Sequence, residues 1–149
     1  MCHSSYFRYM NATINSSELR IYNKQDCLVT RPKSLEDIKM NHDSVTWLNT
    51  ISSWDNKHLR EAVKGFELDL FMIKLMEDIY DNNKVIKLED TIVVAVNTLK
   101  IDKKGIYSEN IFFMLRNNFV WSIQEEKGDY FDWVRERIDE NHGIVRSND

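Results

Sequence analysis

The middle of the chain, "KVIKLEDTIVVAVNTLKIDKKGIYSENIFFMLRNNFVWSIQE" (residues 84–125), restricts the fold more than any other feature. It is dense in β-branched and aromatic residues and is broken at "DKKG" and at Asn117-Asn118, two points where the chain can reverse tightly. Such a segment predicts a meander of neighbouring antiparallel strands. Its apolar run at residues 92–96 predicts a central strand buried on both faces and covered by helices.

Shorter strand candidates precede it, "ELRIY", "DCLVTR" and "VTWLNTI" (Val45–Ile51), the last β-branched and aromatic with polar punctuation. Pro32 ends the second of these, and "RPKSLEDIK" leads into a short helix that Ser34 can cap, with Asp37 three residues on. Two further helices are predicted. In "SSWDNKHLREAVKGF", Asp55 can cap and Leu59, Ala62, Val63 and Phe66 recur at helical spacing. In "DLFMIKLMEDIYD", Asp69 can cap and Phe71, Met72, Leu75, Met76 and Ile79 share one side. A last helix follows Gly128, with Asp129 as cap, Phe131, Val134 and Ile138 facing inward, and Arg135 paired with Asp139 outside. Gly143 suits its C-terminus. Helices on either side of a strand-rich middle predict a mixed sheet covered by helices, with no regular βαβ repeat.

With 149 residues, 42% hydrophobic and 30% charged, the chain can fill one core and not two, so a single domain over 1–149 is expected. A net charge of -4 with both signs interspersed argues against nucleic acid as a partner. Cys2 and Cys27 read as reduced thiols, since a core of this size needs no staples. No apolar run approaches the roughly 18 to 20 residues that cross a bilayer, and the N-terminus lacks the apolar core of a secretory signal, so a soluble chain is expected.

Catalytic chemistry has no visible home. His3, His42, His58 and His142 stand apart, without the four-residue spacing that sets two imidazoles on one metal, and none of the four glycines introduces a phosphate loop. No nucleophile elbow or Cys/His arrangement stands out, and no enzyme is expected. Trp121 and Trp133 read as packing residues, and the Phe71, Met72 and Met76 stripe as core. Glu77 and Asp78 are adjacent carboxylates near the end of the second predicted helix, where the negative end of the macrodipole disfavours more negative charge by about 1 kcal/mol. A hard divalent cation can relieve that cost. Ordinary exposed acids are the simpler alternative.

The stretch "QEEKGDYFDWVRERIDENHGIVR" (residues 124–146) resembles the end of the cytosolic N-terminal domain of CorA-family magnesium and cobalt channels, in which a strand runs into Gln-Glu, a Gly-Asp turn, Phe-Asp-Pro, Val-Arg-Glu-Arg and Gly-x-Ile-Arg. "VTWLNT", "LMEDIY" and "NKVIKLEDTIVVAV" resemble further segments of the family in the same order, so the similarity covers about residues 45–146. Trp133 stands where the family has proline, "NNKV" where it has Arg-Pro-Lys-Val, and its His-Pro is absent from "ELDLFMIK".

The resemblance implies a three-layer αβα sandwich with a mixed, largely antiparallel sheet, set on the cytoplasmic face of the cell membrane as the upper part of a homopentamer. It also implies that the acids matching Glu77 and Asp78 help bind regulatory Mg2+ or Co2+ between identical subunits, and that a stalk, two membrane helices and a Gly-Met-Asn pore motif continue the chain beyond Asp149. Contact with a membrane is then expected only through those missing C-terminal segments. The first expectation is thus a cation-sensing regulatory domain of a CorA-like channel, unable to transport alone. The alternative is a stand-alone soluble binding or adaptor protein with the same domain.

Overall fold

A computed structural model of the chain describes residues 16–34, 37–52, 83–126 and 130–147. They form seven strands and one helix: β1 (Ser17–Tyr22), β2 (Cys27–Thr30), β3 (Val45–Ile51), β4 (Lys84–Lys87), β5 (Thr91–Asp102), β6 (Gly105–Arg116), β7 (Phe119–Gln124) and α1 (Asp132–Asp139). The helices expected around residues 55–66 and 69–79 lie outside the described residues. None of the described helices is long and apolar enough to cross a membrane.

All seven strands join one mixed sheet in the order β2-β1-β3-β7-β6-β5-β4. Every neighbouring pair is antiparallel except β3 and β7, which run parallel with Trp47 beside Val120 and Asn49 beside Ser122. Two antiparallel sets therefore meet at one parallel seam, and the deepest burial lies there. Leu48, Phe112, Met114, Phe119, Trp121 and Ile123 are fully enclosed. Side chains alternate across a strand, so this set points to one face of the sheet, while Trp47, Asn49, Ser122 and Phe113 point to the other. The second face receives α1. Phe131 meets Trp47 and Phe113 edge-on at centroid distances of 5.8 and 5.7 Å, and Ile138 is buried.

The seam is polar as well as apolar, and hydrogen bonds cross it on both faces, with Thr46 Oγ1 and Gln124 Oε1 the buried seam oxygens that accept none among the described residues. The Trp47 indole N–H donates to Ser122 Oγ at 2.9 Å, the Ser122 hydroxyl donates to Asn49 Oδ1 at 2.7 Å, and Gln124 Nε2 donates to the same oxygen at 3.1 Å. On the opposite face the Trp121 indole donates to Thr50 Oγ1 at 2.9 Å, and Thr50 shares a hydrogen bond with the Ser17 hydroxyl at 2.8 Å. A polar group buried without a partner is costly, so these bonds are what permit Asn, Ser, Gln and Thr in the centre of the sheet.

The turns follow the chemistry expected of them. Asn117, at φ 48°, closes the two-residue link between β6 and β7, where Arg116 faces Phe119. Asp102 Oδ1 accepts the Lys104 and Gly105 amides, and Gly105 adopts φ 135°, so "DKKG" reverses the chain. Asp37 Oδ2 accepts the Lys33 and Ser34 amides at 2.9 and 3.0 Å, the backward half of a capping box.

Five expectations are corrected. The run at residues 92–96 belongs to β5, second from the sheet edge, where Val93 and Ala95 are buried and Ile92 is exposed, because edge proximity leaves one face open. The residue preceding α1 is Phe131, not Asp129, and it makes no side-chain cap bond; its ring is used in packing. Asp139 turns to Arg20 on β1 in place of Arg135, which instead reaches Asp132 and Glu18. The left-handed residue that ends α1 is Asn141, at φ 56°, with its own amide on Ile138 O and the His142 amide on Arg137 O, a Schellman arrangement; Gly143 lies two residues further on. Trp133 is 61% exposed and is no core residue.

Replacing Asn49 with Leu removes the shared acceptor of Ser122 and Gln124 and leaves both buried without it. Urea unfolding should show a loss of about 1–3 kcal/mol. A loss below about 0.5 kcal/mol would mean that the seam does not depend on this network.

Candidate functional site

Glu77 and Asp78, the residues proposed from sequence as cation ligands, lie outside the described residues, as do Cys2, His3 and His58. Among the described residues no three His, Cys, Asp or Glu side chains converge as a metal-ligand group. His42 lies in the segment before β3, and His142 Nδ1 meets Glu140 at 3.1 Å after α1. The described structure instead assembles two charged centres, one where α1 rests on the sheet and one on the long β5-β6 hairpin.

The first centre is built around Arg20, an arginine inside a strand and almost fully buried. Its guanidinium forks onto Asp139, Nε to Oδ1 at 3.1 Å and Nη2 to Oδ2 at 3.0 Å, and also pairs with Glu18 two positions along the strand. Planar two-point pairing of this kind holds position as well as charge. Arg135 Nε approaches the same Glu18 at 3.5 Å while its guanidinium stands 5.9 Å from the centre of the Trp47 ring. The Cys27 thiol donates to Asp139 Oδ1 at 3.6 Å. Burial, reinforced by the neighbouring Asp139 charge, pushes this thiol above its ordinary pKa, so it is protonated and a poor nucleophile.

Arg146 completes the junction. Its buried guanidinium donates from Nε to Ile138 O at 2.6 Å and from Nη2 to Asp139 O at 3.2 Å, capping the carbonyl end of α1 with positive charge. Beside it opens a cavity of about 350 Å³ lined by Tyr22, His42, Asp43, Asn118 and Arg146 among others. Sequence reading did not anticipate this junction. By alternation an arginine between Leu19 and Ile21 reads as solvent-facing, and the partner 119 residues away that buries it is set only by folding.

The second centre lies on the outer half of the β5-β6 hairpin, on the side that faces Tyr130. Lys100 Nζ pairs with the buried Glu109 at 2.5 Å and stands 5.0 Å from the Tyr130 ring centre. Glu109 Oε1 also accepts the Glu126 amide at 2.9 Å, and the Thr98 and Tyr130 hydroxyls share a hydrogen bond at 3.2 Å. These contacts join the hairpin to the segment entering α1. In both centres the charges are satisfied by one another, as in a structural joint.

No protein-family model matches the chain. It is 28% identical over 103 residues to the cobalt/magnesium transport protein CorA of Thermotoga maritima, which is 68% of this chain and 29% of that protein. Its fold is similar to the soluble domain of CorA from Methanocaldococcus jannaschii, with a TM-score of 0.59 and 15% identity over 90% of this chain and 51% of that one. It is also similar to the ZntB cytoplasmic domain from Vibrio parahaemolyticus, with a TM-score of 0.59 and 9% identity over 85% of this chain and 51% of that one. The mixed seven-stranded sheet with α1 on one face thus falls in the class of domains that CorA and ZntB share. Within that class, sequence and fold agree on a CorA-like domain, and the chain spans less than a third of the curated relative.

The Arg20 hydrogen bonds hold the Asp139 carboxyl below its ordinary value, against an opposing push from burial. In the unfolded chain it returns to about 3.9, so the pair's contribution is complete above that pH and is lost as pH falls through the lower folded value. Asp139→Asn should cost about 1 kcal/mol at pH 7, modest because the carboxylate is part-exposed. The gap in Tm between variant and parent should stay constant above about pH 4 and narrow only as the pH falls below it, through the depressed folded value. A gap that stays constant with pH would place the effect elsewhere.

Proposed function

We propose that the chain is the cytosolic, divalent-cation-sensing domain of a CorA-like transporter of magnesium or cobalt. The observation that carries this reading is the sequence match to a cobalt/magnesium transport protein over two thirds of the chain, joined to the CorA-type sheet. In this reading stalk and pore come from segments outside residues 1–149, and helices on both faces complete the three-layer αβα sandwich.

The proposed ligand is Mg2+, with Co2+ as the second candidate, held by Glu77 and Asp78 together with carboxylates of an identical neighbouring subunit. Mg2+ keeps several waters and accepts one or two carboxylates, so it can bridge two negative surfaces without a dedicated cage. Bound cation then favours the assembly in which subunits are close, here a homopentamer with a closed pore, and its loss leaves like charges to separate them. Selectivity for the transported ion resides elsewhere in the transporter.

Isothermal titration of the chain with Mg2+, coupled to sedimentation, tests the proposal. Mg2+ should promote self-association, and Asp78→Ala should weaken Mg2+ binding at least about tenfold, or about 1.4 kcal/mol, with Glu77→Gln acting in the same direction. Association indifferent to Mg2+ and to both substitutions would reject the cation-sensing role.

A further inference from the structure

We propose that the distal half of the β5-β6 hairpin is a docking arm for a second copy of this chain, and that it seats on the outer face of that copy's α1. This inference rests on the reading of the chain as a subunit of an assembly, but it names a contact separate from the Glu77 and Asp78 cation site.

The hairpin outruns its sheet. β4 pairs with β5 no further than Ala95, and β7 pairs with β6 only from Ile111, whereas β5 and β6 continue together from Asn97 opposite Asn110 to Asp102 opposite Gly105. Six residues of each strand, a ribbon about 20 Å long, therefore extend past every other strand described. A two-stranded ribbon alone is marginal in water and is retained more readily when one face is covered.

One face of that ribbon asks for cover. Leu99, Ile101 and Ile106 fall on the same side by alternation and are 72%, 80% and 70% exposed, a concentration of large aliphatic surface unusual on an isolated chain. The tip is basic. Asp102 is engaged by the turn amides, and Lys100 is paired with Glu109, which leaves the exposed Lys103 and Lys104 to set the sign of the tip.

The same chain carries the complement. Along α1 the exposed Trp133 is followed three and seven residues later by Glu136 and Glu140, positions on one side of a helix, and both acids are exposed. Arg137 stacks on the Trp133 ring at 5.8 Å, His142 meets Glu140 at 3.1 Å, and Arg135 and Asp139 are occupied at the junction with β1, so α1 presents outward an indole, two carboxylates and one guanidinium, a face of net negative charge. Aliphatic face with basic tip on one element, aromatic ring with acids on another, makes the contact head-to-tail. A heterologous contact of this kind closes into a ring when its rotation permits. The ribbon face is only roughly 200 Å², far below the ~800 Å² per partner of a stable pair, so each contact is weak and the assembly depends on several acting together.

Sedimentation of the 149-residue chain up to about 1 mM tests this, with circular dichroism as a check on folding. The parent should associate with increasing concentration, and less so in high salt. Lys103→Glu with Lys104→Glu should be monomeric, as should Glu136→Lys with Glu140→Lys, because each sets like charges against each other. An equimolar mixture of the two variants should recover association into alternating assemblies, in which each variant meets an opposite charge at both contacts, although a ring of five closes only with one like-charged contact. The inference is overturned if the parent stays monomeric, if either double variant associates normally, or if the mixture does not recover. Monomers that sediment with phosphatidylserine vesicles through the arm would assign it to a lipid surface and also reject the inference. Association that responds to Mg2+ and Asp78→Ala but not to the charge reversals would overturn the arm while leaving the proposed function standing.

Discussion

The parallel pairing of β3 with β7 is the interaction on which the remaining structure depends. Without it the described chain is two antiparallel sets, β7-β6-β5-β4, a meander of short turns, and β2-β1-β3, in which the longer segment 31–44 carries the chain from β2 past β1 to β3. Parallel strands cannot be joined by a tight turn, so this pairing has to bring together residues far apart in sequence, from Thr46 beside Phe119 to Ile51 beside Gln124. Its register is set twice over. On one face Trp47, Asn49, Ser122 and Gln124 form a single hydrogen-bonded network, and on the other Trp121 bonds Thr50 among the most deeply buried side chains. A slip of one residue would turn the indoles and amides to the wrong faces and strand both sets of polar groups, which is why buried polarity here specifies the fold.

α1 is positioned by the same seam. Trp47 supplies the surface on which Phe131 and Arg135 rest, and Arg20, its neighbour on β1, reaches the far end of the helix through Asp139. Arg146 then returns from beyond the helix to satisfy its last carbonyls. The helix is thus held at its start by aromatic packing, at its side by a two-point ion pair, and at its end by a buried cation. An eight-residue helix of this composition has little stability of its own, and tertiary contacts supply it.

The β5-β6 hairpin has the opposite character. One face of its outer half is tied to the segment before α1 through Lys100, Glu109, Thr98 and Tyr130, but no further strand among the described residues pairs with that half and its other face exposes aliphatic side chains that a solitary domain has no reason to display. The proposed contact with a second copy of the chain provides such a reason.

By itself the sequence determined the strands and their turns. Val45–Ile51 is recovered with the boundaries its β-branched and aromatic run predicts, "DKKG" and Asn117-Asn118 reverse the chain where short polar residues and left-handed φ allow it, and Phe131, Val134 and Ile138 face the sheet at helical spacing. These are properties of neighbours in sequence, so periodicity and turn chemistry reveal them. "NKVIKLEDTIVVAVNTLKI" is harder, because an uninterrupted apolar run does not disclose whether a strand is central or near an edge; only the sheet order places β5 second from the edge and splits off β4. Tertiary structure alone decided the parallel seam, the pairing of Arg20 with Asp139, the choice of Asn141 to end α1, and the exposure of Trp133. Each of these sets one residue's surroundings by a partner or a space remote along the chain, and local propensity carries no record of such distances.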